Sequence, residues 1–496
     1  MRVDSIPAAL ERAAASGGRG VTLVGTREGE RRIGYDELLA VARRAAGGLS
    51  RAGIRTGDRV LLVLPAGAEF LVYFFGAMIL GAIPCPVSPP QGFGSRETFV
   101  RRLGQFAASV GARAAAVEPD LAGAAREGLP PGVTILSPAS LPGGDPAPPA
   151  AIDPEATAFV QFTSGTTEIP KGVRLSHRAL LANLAQIACA SGFREGDAIV
   201  SWLPLFHDMG LIGGVLSAVH FPLDLVLGTP YGFLRRPRTW LEAISRFRGT
   251  HSPAPNFAYR YVAERLAPGD VADLDLSSWR VAYAGAEMVH AAGLAAFEAL
   301  LAPRGLSPAT LRPCYGMAEA CLAVTLSGAG TRFRTLAVSR RGIAEEGRAI
   351  APEAASDEWA IVSCGRPVSG TEVRVVEGDA ALPAGRLGEV LVRGPSLFSG
   401  YWGEDGPGLE AGWFRTGDLG FTDGGELFVT GRRRDLIILR GENHHPAEIE
   451  WVAESVPGVR EGRVAAFGLP DAGSGTETLC LLVEVDRRAA MTSDQI

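Results

Sequence analysis

With 496 residues, 47% of them apolar and 21% charged, the chain is too long for one compact core and ordinary in composition for a globular protein of two to four packed units. A net charge of −6 gives no basic footprint, which argues against a nucleic-acid partner. The six cysteines (Cys85, Cys189, Cys314, Cys321, Cys364 and Cys480) form no CxxC pair, so neither a zinc site nor a disulfide framework is expected.

At the N-terminus, Asp4, Glu11 and Arg12 stand where a signal peptide needs an apolar stretch. The longest apolar run, Phe70 to Val87, contains Pro84 and Pro86 and reads as a buried helix running into a short strand, so no membrane span is expected and the location is read as cytoplasmic. Before it, residues 34–52 carry apolar residues at helical spacing and lead into the strand-like VLLVLP. Beyond it come ARAAAV, the strand AFVQF, a helix near 178–190, AIVSWLP and DLVLG. Helix and strand signals alternating in this way predict an α/β architecture with largely parallel sheets. The Pro-, Gly- and Ala-rich stretch 141–156 reads as a surface loop.

After about residue 365, EVRVVEG, LGEVLVRG and GELFVTG are short segments separated by Gly, Pro and Asp, which predicts a small antiparallel unit. A last segment follows Arg432-Arg433-Arg434-Asp435: strand DLIILR, turn Gly441-Glu442-Asn443, a helix starting at Pro446, then strands RVAAFGL and TLCLLVEV.

The strongest local signal is Thr163-Ser164-Gly165-Thr166-Thr167-Glu168-Ile169-Pro170-Lys171-Gly172. A small, hydroxyl-rich turn lets backbone N–H groups and hydroxyls converge on phosphate oxygens, with a lysine adding charge. The Walker A spacing is absent. Lys171 is the sole lysine among 48 basic residues, in a chain that otherwise uses arginine. In isolation an ordinary polar turn would read the same way.

Other motifs follow in order: Ala284-Gly285-Ala286-Glu287, Tyr315-Gly316-Met317-Ala318-Glu319, Gly417-Asp418 within GWFRTGDLG, and Gly431-Arg432. The ordered set resembles the adenylate-forming superfamily of acyl-CoA synthetases, luciferases and peptide-synthetase adenylation domains. That resemblance implies an ATP phosphate loop from Thr163 to Lys171 and an adenine-contacting turn at Gly285, Ala286 and Glu287. It also implies adenine stacking by Tyr315 to Ala318, a Mg²⁺ carboxylate at Glu319, a ribose-binding Asp418, and a hinge near Arg434-Asp435. Lys171, Glu319, Arg432 and His207 become the catalytic candidates. The residue types suit a carboxylate attacking an α-phosphate, where amides, cations and a carboxylate-held Mg²⁺ offset developing negative charge.

Three segments narrow the resemblance to fatty acyl-AMP ligases: Ser201 to Leu211, Thr250 to Tyr259, and Gly441-Glu442-Asn443-His444-His445-Pro446. Residues 328–363 sit where those ligases carry an extra segment. The implied fold is a large N-terminal domain (1–433) of two α/β sheets plus a small β unit, followed by an incomplete α+β C-terminal lobe (434–496). The implied activity joins a fatty acid to ATP, with Mg²⁺, giving acyl-AMP and pyrophosphate. An acyl carrier protein then accepts the acyl group on its phosphopantetheine thiol, as in polyketide or lipopeptide synthesis. Trp202, Phe206, Asn256, Phe257 and Tyr259 fall in the substrate-binding segments; the aromatic ones either line an acyl tunnel or belong to the core, and His207 is a gate candidate.

Two departures stand out. Glu168 puts a carboxylate where the phosphate loop usually has a small residue. No lysine follows Lys171, although the superfamily uses one late in its C-terminal lobe, and the end at Ile496 resembles a helix just beginning. The expectation is a shortened lobe with an exposed apolar patch and slow chemistry. A trimmed gene product, completion by a second polypeptide, or a degenerate binder of nucleotide or acyl-adenylate would each account for it. An acyl-CoA synthetase shares every nucleotide motif and is the alternative enzyme.

Overall fold

The computed structural model describes residues 3–26, 29–90, 96–137, 145–146, 150–163, 171–404, 406, 408–439, 442–444, 446–454, 456–471 and 476–485. Ser164 to Pro170, parts of the 141–156 loop, Gly441 and 486–496 therefore lie outside the described residues.

The largest sheet has nine strands. In spatial order they are Arg366–Pro367, Ala323–Leu326, Leu311–Gly316, Val281–Gly285, His251–Pro255, Ala198–Ser201, Asp224–Leu227, Gly20–Thr26 and Gly29–Gly34. The six from Leu311–Gly316 to Gly20–Thr26 are parallel, and the outer ones are antiparallel. Parallel strands buried on both faces read as unbroken apolar runs; all four residues of Ala198–Ser201 are buried. From Ala198–Ser201 the chain adds Asp224–Leu227 on one side, then crosses to place His251–Pro255 on the other. Such a reversal opens a crevice at the carboxyl ends of the strands, where open α/β sheets bind ligands.

A second, four-stranded parallel sheet is formed by Ile83–Pro86, Arg59–Val63, Ala114–Val117 and Thr134–Leu136. Helix Tyr35–Arg51 buries Tyr35, Leu38, Ala42, Ala46 and Leu49 along one stripe and packs on helix Ala68–Ile79. The latter is buried nearly all round and stacks Phe74 edge-on against Phe159 of the hairpin Thr157–Phe162/Gly172–Ser176. Burying each such phenylalanine contributes about 2–3 kcal/mol. Helix His177–Ser191 starts where Ser176 Oγ accepts from the Ala179 N–H at 3.1 Å and stops at Gly192, whose φ of 63° is the left-handed cap.

The antiparallel unit is a five-stranded sheet in the order Ala380–Ala381, Glu372–Glu377, Gly388–Arg393, Phe414–Asp423, Glu426–Arg432. The 328–363 region forms a hairpin, Thr335–Ser339/Glu358–Val362, with helix Arg340–Glu346 between its strands. Val338, Ile343 and Ile361 from it pack on Phe421 and Phe428 of the five-stranded sheet. A short 3-10 turn, Arg433–Asp435, leads to the hairpin Ile437–Leu439/Glu442–His444, helix Pro446–Glu454 and the hairpin Val459–Asp471/Thr476–Val485. Glu454 pairs with Arg260 of helix Asn256–Arg265 at 3.0 Å. Phe467, Leu469, Leu481 and Leu482 of the last hairpin are exposed. Among the described residues no helix is long and apolar enough to cross a membrane.

Candidate active site

One cavity of about 1090 Å³ opens at the carboxyl ends of the parallel strands. Its mouth is formed by Thr163 and Lys171, by the turns after four strands, and by Thr416 to Asp418 with Arg432 of the antiparallel sheet. The Thr163 N–H donates to Lys171 C=O at 3.2 Å, drawing the two ends of the expected phosphate loop together.

Asp418 lies within strand Phe414–Asp423 and pairs in register with Arg432, rather than sitting in a turn. Tyr315 Oη donates to Asp418 Oδ2 at 2.5 Å, and Arg432 Nε approaches Oδ1 at 3.2 Å. Burial raises the Asp418 pKa above the ordinary carboxylate range, against the opposing pull of Tyr315 and Arg432. The result is an oriented acceptor at the cavity wall.

Glu319 is carried by the 3-10 turn Ala318–Ala320, which reverses strand Leu311–Gly316 into Ala323–Leu326. Gly316 is required there, because a Cβ would sit 1.7 Å from Leu322 O. Glu319 Oε1 accepts from Tyr401 Oη at 2.7 Å. Burial raises its pKa, partly offset by Tyr401. The same tyrosine carries the Lys171 ammonium 4.5 Å above its ring centre, while Lys171 Nζ pairs with Glu404 at 3.0 Å. Both members of that pair are about half exposed, so the pairing contributes little and leaves Lys171 easy to redirect.

His207 follows strand Ala198–Ser201. Its Nδ1 lies 2.7 Å from Asp208 Oδ1, and Asp208 also caps the π-helix Met209–Leu216 through the Met209 N–H. Burial opposes charging the imidazole, but Asp208 outweighs it and raises the pKa. A π-helix is uncommon and frequent at functional sites. Beside it, buried Gln161 donates to Phe206 C=O at 2.6 Å, while among the described residues its Oε1 has no partner.

Behind this mouth the cavity turns apolar. Ile187 and Phe193, near and just beyond the end of helix His177–Ser191, line it together with Ile199, Met209, Leu322 and Leu326.

The family model described as "AMP-binding enzyme" matches residues 10–402. The chain belongs to the AMP-binding enzyme family.

Over 487 residues the enzyme is 34% identical to a long-chain-fatty-acid–AMP ligase of Mycobacterium marinum, covering 93% of this chain and 82% of that one. It is 33% identical over 492 residues to a medium-chain-fatty-acid–[acyl-carrier-protein] ligase of Moorena producens, covering 93% and 81%. Among solved structures it is similar to one from work on fatty acyl-adenylate ligases of E. coli and L. pneumophila. The TM-score there is 0.91 at 33% identity, covering 98% of this chain and 90% of that one. A fatty acyl-adenylate ligase from L. pneumophila in complex with acyl adenylate and pyrophosphate gives 0.81 at 29% identity, covering 99% and 88%. The adenylate-forming fold expected from the motifs is thus the fold of this enzyme.

The structure gathers Thr163, Lys171, Phe206, His207, Ala286, Tyr315, Gly316, Met317, Ala318, Glu319, Asp418 and Arg432 at one cavity. Ser164, Gly165, Thr166 and Thr167 lie outside the described residues. Ala286 has φ 67° and Cys321 φ 64°, two of four non-glycine residues with left-handed backbone among the described residues, both beside the site. Gly285 and Glu287 flank the cavity without lining it. Glu287 Oε1 instead accepts from the Phe257 N–H at 2.6 Å and anchors the start of helix Asn256–Arg265.

Four substrate candidates belong elsewhere. Trp202 is 6% exposed, stacks on Phe233 at 3.8 Å and borders a separate cavity of about 570 Å³. Tyr259 is fully buried in the aromatic core, its hydroxyl donating to Tyr283 C=O. Asn256 Oδ1 accepts from the His290 N–H, and Phe257 faces solvent at 41% exposure. Each sits where strand or helix period turns it off the cavity face. The residues missed are Ile187, Phe193, Leu322 and Leu326, single apolar side chains that no local pattern marks.

Proposed function

We propose that this enzyme is a ligase that activates a fatty acid with ATP, giving acyl-AMP and pyrophosphate. The observation that carries the reading is one continuous cavity with a polar, carboxylate- and cation-lined mouth and an apolar arm. Asp418 accepts both ribose hydroxyls, pre-oriented by Tyr315 and Arg432, so the nucleotide is held without contact at the reacting centre. Lys171, released from Glu404, and Arg432 stabilise charge developing on the phosphates as the fatty carboxylate attacks. His207, held by Asp208, stands beside the reacting centre at the junction of mouth and arm.

Among the described residues no cluster of three His, Cys, Asp or Glu side chains is suited to a metal. One half-buried carboxylate fits Mg²⁺, which takes one or two carboxylates and completes its shell with phosphate oxygens and water. Glu319 would hold it, and bound Mg²⁺ supplies neutralisation of pyrophosphate charge.

The acceptor we propose is the phosphopantetheine thiol of an acyl carrier protein, as the name of the Moorena relative says of that protein. Free CoA is the second reading, favoured by 36% identity to a putative acyl-CoA synthetase of Caulobacter vibrioides. We further propose residues 1–433 as the nucleotide-binding domain and the Arg433–Asp435 turn as the hinge to 434–496.

Mass spectrometry of the purified chain with ATP, Mg²⁺ and a fatty-acid series, with and without CoA, tests this. Acyl-AMP that accumulates and ignores CoA is expected. Acyl-CoA would move the enzyme to the synthetase class, and absence of any adenylate would remove the activity from this chain.

A further inference from the structure

The apolar arm of the cavity also carries polar side chains. Tyr283 packs with Ile187, Phe193 and Leu326, and His251 meets Phe193 edge-on at 4.7 Å. Strand register sets Tyr283 beside Arg312 and His251 beside Ile199. Tyr283 Oη lies 2.8 Å from Ser191 Oγ. These two hydroxyls carry two protons, and the bond between them uses one. No other side chain or carbonyl among the described residues accepts the second. Arg312 is 5% exposed, donates from Nη1 to Ala190 C=O at 3.3 Å and also hydrogen-bonds the Tyr283 hydroxyl, and among the described residues its Nε has no partner.

The charges lean the same way. Asp197 is taken up by Arg280 and lies 3.9 Å from His251 Nδ1. His251 is satisfied by Thr250 Oγ1 and Ser191 C=O, and burial lowers its pKa to about 4, so it is neutral near pH 7. Two guanidiniums therefore accompany one carboxylate behind Tyr283 and His251, so net positive charge lies behind this part of the arm.

Resting on the acyl-adenylate reading above, we propose that this arm takes carboxylic acids whose far end bears an oxygen acceptor, bound by the Tyr283–Ser191 hydroxyl pair in the field of Arg312. A hydroxyl, carbonyl or second carboxylate at that end satisfies the spare donor. A plain alkyl end leaves it unpaired in a desolvated site, a discrimination of roughly ten- to a hundredfold. Tyr283 lies in strand Val281–Gly285, three residues before the cavity-lining Ala286. That is roughly 10 Å, the reach of about eight carbons at bond lengths near 1.5 Å.

Calorimetric titration of the purified chain with two stable acyl-sulfamoyl-adenosines, octanoyl and 8-hydroxyoctanoyl, tests this without requiring turnover. The hydroxylated ligand is expected to bind at least tenfold more tightly. In Tyr283→Phe and Ser191→Ala, checked for unchanged thermal unfolding, the ratio of the two affinities should fall toward one. Equal affinities in the unsubstituted chain, or a ratio that survives in both variants, would overturn the assignment while leaving acyl-adenylate binding intact. Binding of neither ligand would overturn both readings.

Discussion

The mouth and the arm of the cavity are built by opposite means. At the mouth, Tyr315 to Glu319 and Gly417-Asp418 arrive as contiguous segments, the first at a strand end and its turn, the second within strand Phe414–Asp423. The arm is assembled from residues as distant as Ile187 and Leu326, each an ordinary apolar side chain. The mouth is tuned for charge, with a carboxylate locked between a phenol and a guanidinium; the arm is tuned for shape, apart from the polar Tyr283 and His251. A substitution at the mouth should therefore act on the nucleotide, and one in the arm on the acid.

The largest effect is expected outside both regions: Trp202→Ala empties the stack on Phe233 and should cost about 3–5 kcal/mol in urea unfolding. Acid preference should not change, and a shift in chain length would return Trp202 to the arm. Glu319→Gln should lower turnover by roughly 10²–10³-fold through lost charge at the metal position, with acid affinity kept. Equal turnover at saturating Mg²⁺ would remove Glu319 from that role.

Asp418→Ala should weaken ATP binding by about 2–3 kcal/mol in calorimetry, since it deletes a charged acceptor and leaves Arg432 unpaired. In the arm, Gly213→Leu would crowd Leu322, whose Cδ2 already lies 3.1 Å from a Cβ at that position. The expected result is a shift to shorter acids with ATP affinity unchanged. A matching loss of ATP affinity would mean that mouth and arm are not separable.

The smallest effect per step concerns pH. Buried His177 accepts the Ile6 N–H on Nδ1 at 3.2 Å, and burial lowers its pKa to about 4. The unfolded chain then binds the extra proton below about pH 6.5. Stability should be full above that pH and fall by roughly 1.4 kcal/mol per unit for this histidine down to about pH 4. His177→Asn should flatten the dependence in urea melts between pH 7 and 5, and an unchanged slope would deny the proton to His177.

Much of this was legible beforehand. Helix Tyr35–Arg51 follows its apolar period because one buried face forces that spacing, and strand Arg59–Val63 reads as an unbroken apolar run because both of its faces are buried. The five-stranded sheet was visible as short strands between turn residues, although strand Phe414–Asp423 was hidden by its glycines. The π-helix at Met209 carried no signal, since its apolar run suits helix or strand alike.

The α/β layering and the motif segments that reach the mouth follow from the sequence alone, because period and turn chemistry are local. Only the tertiary structure decided which aromatics are core and which apolar residues form the arm. It alone brought Tyr283 of the arm to Ser191, 92 residues apart in the chain. Packing between distant elements is a property of surfaces that meet after folding, and no local pattern encodes it.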